Sequence, residues 1–370
     1  MADCVERKSN FELLRIIAIL FIIFHHIAVH GGWADGGIFY PEHLSANVFF
    51  LQSLFPLGKI GVNLFVLISG YFLINSCSKT WPKVVRLWVE MLFYSILIPL
   101  LFAIFGNRDY SLSEVFRIMT PVLHNTWWFM SCYLVMLALS PFINRMLNAC
   151  DERGHLKLVL AMLILWSVIP TVVGIHLLYT DLVWFFILYI LGAYIARFPN
   201  RFSSSGRRYL SFGIAVYLAD ILLILAVDIT GFGLESERFS SFVDHISAMN
   251  SVTCLSVSLF LFLLFCKINV RQSVSINLIA SLTFGIYLIH DHYLVREYIY
   301  TDLFHCNEWI DSVLLIPYVL FVGGCIFTVC ALIEYVWKKT MNRALSEPLS
   351  AGAECLVDKV NGWIDRLLEK

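Results

Sequence analysis

The sequence predicts an all-α polytopic membrane bundle of about ten transmembrane helices with both termini in the cytoplasm, and three observations predict it. Of the 370 residues 59% are hydrophobic and only 14% charged, with a mean hydropathy of +0.77, a balance that a soluble domain of this length has no need to reach. Apolar runs long enough to cross about 30 Å of hydrocarbon as helices recur at 11–30, 46–75, 84–105, 127–147, 156–175, 179–197, 208–229, 248–267, 275–295 and 312–337. The basic residues between these runs collect in alternate loops.

The first run follows Arg7 and Lys8 and has no small-residue cleavage site, so it reads as a retained anchor. The second is the one most apt to bend; Lys59, Asn63 and Ser69 interrupt it, while Gly61, Ser69 and Gly70 allow close helix approach. The third starts after Pro82, and Pro99, Pro141 and Pro170 interrupt the third, fourth and fifth, breaks that neighbouring helices can repair. The ninth, 275–295, is weakly apolar at its start. With the N-terminus inside, the inner loops gather Lys79, Lys83, Arg86, Arg145, Arg153, Lys157, Arg197, Arg201, Arg207, Arg208, Lys338 and Lys339, whereas the outer side keeps Arg108, Arg117, Arg238 and Arg296. That asymmetry obeys the positive-inside rule. Beyond the last run, Cys355, Leu356, Val360, Trp363, Ile364, Leu367 and Leu368 recur at helical spacing, which predicts an amphipathic helix lying along the inner membrane surface. The expected division is therefore a transmembrane domain over 1–343 and a cytoplasmic amphipathic tail over 344–370.

A net charge of −1 lacks the basic field that nucleic acid requires. The ten cysteines show no paired short spacing, and Cys132, Cys254, Cys266, Cys325 and Cys330 sit in apolar runs as small hydrophobes.

Chemistry concentrates on the first run. Arg15 and His26 are eleven residues apart, so at about 100° per residue they return to within about 20° of one another and lie about 16 Å apart along the axis. Ionisable side chains at such depth are expected to line a cavity or pathway, and imidazole exchanges a proton near neutral pH. His25 lies about 80° off Arg15's face. His26 and His30 are four apart, a spacing that could hold a metal, but no Glu stands beside them as in a zinc hydrolase, and Asp35, Glu42 and His43 have no diagnostic spacing. No metal is expected. Lys83 and Arg86, three apart, are neighbours on a helix surface; they serve either as a topology signal or, beside Arg15, as a seat for phosphate. Trp127 and Trp128 read first as an interfacial belt. Tyr287 and His290 share a face and either bond a neighbouring helix or line the same cavity as His26.

Together these segments resemble the acyltransferase 3 family of bacterial membrane-bound O-acyltransferases. The likeness rests on Arg15, Ala18, Ile22 and His26 in the first run, on the stretch Phe65–Leu73 containing Ser69, and on the turn Lys83 to Arg86. It continues through Trp128 to Pro141 and ends at Tyr287 to His290. The resemblance implies a ten-helix bundle of the bacterial inner membrane that takes an acyl group, usually acetyl, from cytoplasmic acyl-coenzyme A. The acceptor would be a hydroxyl of a sugar, an envelope or capsular glycan or its lipid-linked precursor. It implies that His26 is catalytic with Arg15 essential beside it, that Arg15, Lys83 and Arg86 meet the coenzyme, and that Ser69, Trp128, Tyr287 and His290 line the cavity. Acyl-CoA would be a donor substrate and not a resident cofactor, membrane lipid surrounds the bundle, and a homo-oligomer is compatible with the sequence. Lys83 stands where many members have arginine. No hydrolase-like domain follows the last run, so the chain is expected to complete transfer itself or to hand the acyl group to another protein. Two rival readings are a proton-coupled secondary transporter, which would suit a buried Arg and His but finds no related halves here, and a membrane sensor domain without chemistry.

Overall fold

The computed structural model describes residues 8–33, 44–75, 80–106, 108–174, 179–233, 243, 245–341, 344 and 347–368. Thirteen helices are named here in chain order. They are α1 (Ser9–His30), α2 (Ala46–Leu73), α3 (Thr80–Gly106), α4 (Leu112–Met119) and α5 (Trp128–Ala149). Next come α6 (Glu152–Val173), α7 (Asp181–Arg197), α8 (Gly206–Gly233) and α9 (Val252–Lys267). Last are α10 (Val274–His290), α11 (Tyr293–Leu303), α12 (Leu315–Met341) and α13 (Glu347–Leu368). Each of the ten expected runs is helical, so the fold is the anticipated all-α polytopic bundle.

Among the described residues, seven or eight of the expected runs meet the length and apolarity of a full span. Seven helices (α1, α2, α3, α5, α6, α8 and α12) are long and apolar enough to cross a membrane, and the bent pair α10 and α11 makes an eighth. The run expected over 275–295 does not continue as one helix, because the chain turns by 79° between His290 and Tyr293. His292 adopts an extended backbone there, and its Nδ1 accepts the backbone N–H of Leu294 at 3.3 Å, an N-cap that starts a new helix in place of extending the old one. The other two shortfalls are α7, with 17 residues, and α9, with 16. Side-chain caps from Ser45, Thr180, Ser251 and Ser273 begin α2, α7, α9 and α10.

Helix α4 was not expected from the sequence, since eight residues are too few for a periodicity signal. It opens with a capping box between Ser111 and Glu114, and its exposed Leu112, Val115, Phe116 and Met119 share one apolar face.

Helix α2 is the centre of the bundle and packs most extensively on α1 and α7. Small residues bring the backbones together, as the sequence suggested. A Cβ on Gly61 would come within 2.6 Å of the Ala18 carbonyl oxygen; one on Gly70 would collide with the carbonyl of Tyr189, and one on Gly192 with that of Leu67. Asn63 ties three segments in the same region: its amide donates to the Met249 carbonyl at 3.0 Å, and its oxygen accepts the Trp184 indole N–H at 2.9 Å. The helix runs through Pro56, where the ladder loses a donor. Beside it, the Tyr217 hydroxyl of α8 donates to the Ser53 carbonyl at 2.6 Å, a bond that ties α8 to α2 next to the proline.

Elsewhere, Glu334 is fully buried on α12, accepting the Tyr94 hydroxyl at 2.8 Å and pairing with Lys338 at 3.3 Å. Helix α13 packs against α3, so the tail has a protein partner. The described cysteines are free thiols; Cys4 and Cys77 lie outside the described residues, as do Lys79, Arg238 and most of the 31–45 and 231–246 loops.

The α2–α7 contact leaves no space for a side chain. Gly70→Ala should therefore lower stability by about 1–3 kcal/mol, read as a lower thermal midpoint of the detergent-solubilised protein. Gly324→Ala, on an exposed part of α12 where a Cβ meets nothing within 4 Å, should leave that midpoint unchanged or raise it.

Candidate active site

Arg15 and His26 project from α1 into two different cavities. The larger, of about 510 Å³, is lined by His26 with His25, His30, Lys59, Trp128, Tyr179, Asp181, Asn250, Tyr287, Asp291 and Arg296 among others. The smaller, of about 240 Å³, is lined by Arg15 and Lys83 together with Glu12, Ile19, Phe65, Leu87, Phe129, Tyr133, Ser281 and Phe284 among others. Ile22 and Tyr287 line both. The shared helix face seen in the sequence thus becomes two chambers set end to end along α1.

His26 is held by a chain of hydrogen bonds that fixes which of its nitrogens is basic. The Nδ1 atom of His290 lies 2.5 Å from the carbonyl oxygen of Ile286, and a carbonyl only accepts, so His290 Nδ1 carries the proton. Neutral His290 is then an acceptor at Nε2, 3.0 Å from His26 Nδ1, and His26 Nδ1 must be the donor. The hydrogen-bond network therefore assigns neutral His26 its lone pair at Nε2. Asp291 Oδ1 stands 3.6 Å from His26 Nδ1 and accepts from Arg296 Nη1 at 3.2 Å, which places a carboxylate where it would stabilise an imidazolium. His290 is wholly buried and stands behind His26; it is not a lining residue of the described cavities.

His25 has a different task. Its Nδ1 donates to the Phe55 carbonyl at 2.6 Å, and Gly58 lies so close beneath the ring that a Cβ there would overlap it. That bond ties α1 to α2 just ahead of Pro56.

At the other end, Arg15 Nη1 donates to Glu12 Oε1 at 2.6 Å across one helical turn. Glu12 is buried while Arg15 is partly exposed, so the carboxylate aims the guanidinium at the chamber. Lys83 and Leu87 are on the chamber wall, whereas Arg86 is exposed and not among the residues lining it. Ser69 lines neither chamber; it donates or accepts with the Tyr133 hydroxyl at 2.8 Å and so orients a residue that does. Trp128 lines the His26 chamber, but Trp127 departs from the interfacial reading: it is buried, and its indole N–H donates to the Leu288 carbonyl at 3.1 Å.

Three groups were missed in the sequence. Asp291 and Arg296 come together only because of the break after α10, while Glu12 carried a readable signal, the i,i+3 spacing to Arg15. Ligand atoms of His26, His30 and Asp291 all lie within 4.8 Å of one another, the group among the described residues able to hold a metal. Here protein partners already engage His26 and Asp291. Asp35, Glu42 and His43 are outside the described residues.

The tautomer assignment has a spectroscopic consequence. In protein labelled with ¹⁵N-histidine, neutral His26 should show a protonated Nδ1 and a bare Nε2, and His290→Phe should abolish that preference. A His26 protonated at Nε2 in the wild type would overturn the hydrogen-bond assignment.

A family model described as an acyltransferase domain matches residues 8–335, a stretch that contains both chambers. No curated protein and no solved structure matches the chain. A match of that extent favours transfer chemistry over the transporter and sensor readings, and it makes the chain a membrane acyltransferase that belongs to the acyltransferase 3 family.

Proposed function

We propose that the protein is an acyl-CoA-dependent O-acyltransferase, in the simplest case an O-acetyltransferase, acting on a hydroxyl of an envelope or capsular glycan or its lipid-linked precursor. On this reading it is a multi-pass protein of the bacterial inner membrane with both termini cytoplasmic. The observation that carries the proposal is the pair of chambers meeting at Ile22 and Tyr287, cationic at one end and holding a basic imidazole at the other.

Arg15 and Lys83 suit phosphate, for guanidinium and ammonium groups donate charge-assisted hydrogen bonds to it. They lie at the end of α1 that the loop charges assign to the cytoplasm, with exposed Arg86 adding field at the entrance. The apolar wall of Ile19, Phe65, Phe129 and Phe284 suits a pantetheine arm. At the opposite end the hydroxyl-bearing acceptor meets Trp128, Asp181 and Asn250, an aromatic face with polar groups of the kind that binds sugars.

For the reaction itself, His26 Nε2 takes the proton of the acceptor hydroxyl while the oxygen attacks the thioester carbonyl carbon. The carbon–sulfur bond breaks, the new ester bond forms, and the proton returns from His26 to the departing sulfur to give the free thiol. Asp291 stabilises the imidazolium through Nδ1 in the interval. A covalent route would place the acyl group on this same nitrogen.

His26→Ala should reduce transfer of labelled acetyl from acetyl-CoA to glycan acceptors by about 10²-fold or more while the protein stays folded. His25→Ala, which removes an interhelical hydrogen bond and no proposed chemistry, should retain more activity. Equal losses, or full activity without His26, would sink the assignment. For the donor end, Lys83→Gln should weaken acetyl-CoA binding by about tenfold, in line with loss of one charge-assisted hydrogen bond, and Arg86→Gln should weaken it less. Calorimetry of the folded variants decides this: unchanged affinity in both would return the basic turn to its role in topology.

A further inference from the structure

We infer that Ile22 and Tyr287 form an acyl gate that restricts the transferred group to a short chain, an inference that rests on the donor and acceptor ends proposed above. Among the described residues, Ile22 and Tyr287 alone line both chambers. Each is buried, so they stand between the chambers as a septum. For its sulfur to take the proton from His26, the thioester has to reach from the Arg15 chamber past these two side chains, and its acyl chain has to be housed beside them while the oxygen attacks.

The septum is stiff on both sides. Ile22 is β-branched, and such a side chain has one strongly preferred rotamer in a helix. Its Cγ1 packs over Gly61, where a Cβ would come within 2.9 Å. Tyr287 is clamped edge-on between the rings of Phe129, at 5.3 Å and 73°, and His290, at 6.1 Å and 83°. His290 is in turn fixed by Ile286 and His26, so Tyr287 cannot swing aside without disturbing the basic nitrogen. Interiors packed in this way yield little to added volume. A two-carbon acyl group needs the smallest displacement of Ile22, and every added methylene has to be accommodated between the same two side chains.

The gate also separates roles that a static pocket would merge. Ile22 contributes no charged group and no side-chain hydrogen bond, so trimming it changes the width of the passage and keeps every polar group of the cationic and basic ends. Tyr287 contributes a ring, which sets the width, and a buried hydroxyl, which does not.

The test is a chain-length profile. Transfer from acetyl-, butyryl- and hexanoyl-CoA is measured with wild type, Ile22→Val, Ile22→Ala and Tyr287→Phe. In wild type acetyl should lead. Ile22→Ala should raise the butyryl-to-acetyl ratio of kcat/KM by about tenfold or more, the discrimination that a methylene-sized change in a pocket supports, with Ile22→Val intermediate. Tyr287→Phe, which keeps the ring, should leave the ratio where it is in wild type. Because Ile22→Val removes a single methyl group, it reads the gate even if the alanine variant does not fold. A ratio unchanged across the Ile22 variants, in protein that still transfers acetyl, would overturn the gate and leave the donor reading intact. Absence of His26-dependent transfer from any acyl-CoA in wild type would overturn that reading, and the gate with it.

Discussion

A polar group inside a hydrocarbon environment has to find its partner within the protein, and the bond from His26 to His290 is where this constraint governs the molecule. The bond links α1 to α10, the Ile286 carbonyl terminates it, and Asp291 approaches the same nitrogen because α10 ends at His290. Helix break, tautomer and carboxylate position are parts of one arrangement. Had α10 continued as an unbroken helix, Arg296 would stand more than a turn beyond Asp291, and nothing in the local backbone would fold it back onto that carboxylate.

The close packing around α2 serves the same end by different means. Three glycines let α1 and α7 approach α2 at backbone distance, while Asn63 joins α2 to Trp184 and to the chain just before α9. These contacts hold the walls of the His26 chamber, so residues without chemistry decide whether the chamber keeps its shape. The overpacking expected at Gly70 is therefore as relevant to the site as any substitution within it.

Much of this was legible in the sequence because helical geometry is local. Eleven residues return a helix to the same face, which was enough to pair Arg15 with His26 and to set His25 apart. The spacing could not show that the two residues face separate chambers, because the septum is built from Ile22 on α1 and Tyr287 on α10, more than 260 positions away. Arg86 illustrates the converse: a neighbour of Lys83 by periodicity, it lies off the chamber wall, since three residues along a helix rotate a side chain by about 60° as well as advancing it. The break at Asp291 and His292 escaped for a further reason. Its cause is a histidine capping the following helix, whereas an apolar run reports only that the segment is buried. The expected interfacial tryptophans divided in the same way, Trp128 facing the chamber and Trp127 buried against α10, a distinction that composition cannot make.

Helices α7, α9 and α10 contain 17, 16 and 17 residues and so rise about 24–26 Å, less than the roughly 30 Å of a bilayer core. The chain at their blunt ends, around Asp181, Asn250 and Asp291, surrounds the His26 chamber. Helices this short end within the span of a hydrocarbon core, and on the proposed reading the chamber at their ends is where a hydrophilic acceptor meets the imidazole. Their shortness also makes the rim of that chamber a site of hydrophobic mismatch, where the bilayer must thin locally to meet the short helices. On the proposed reading, the working depth of the site is coupled to the lipid around it, and a change in membrane thickness acts first on the acceptor's entrance.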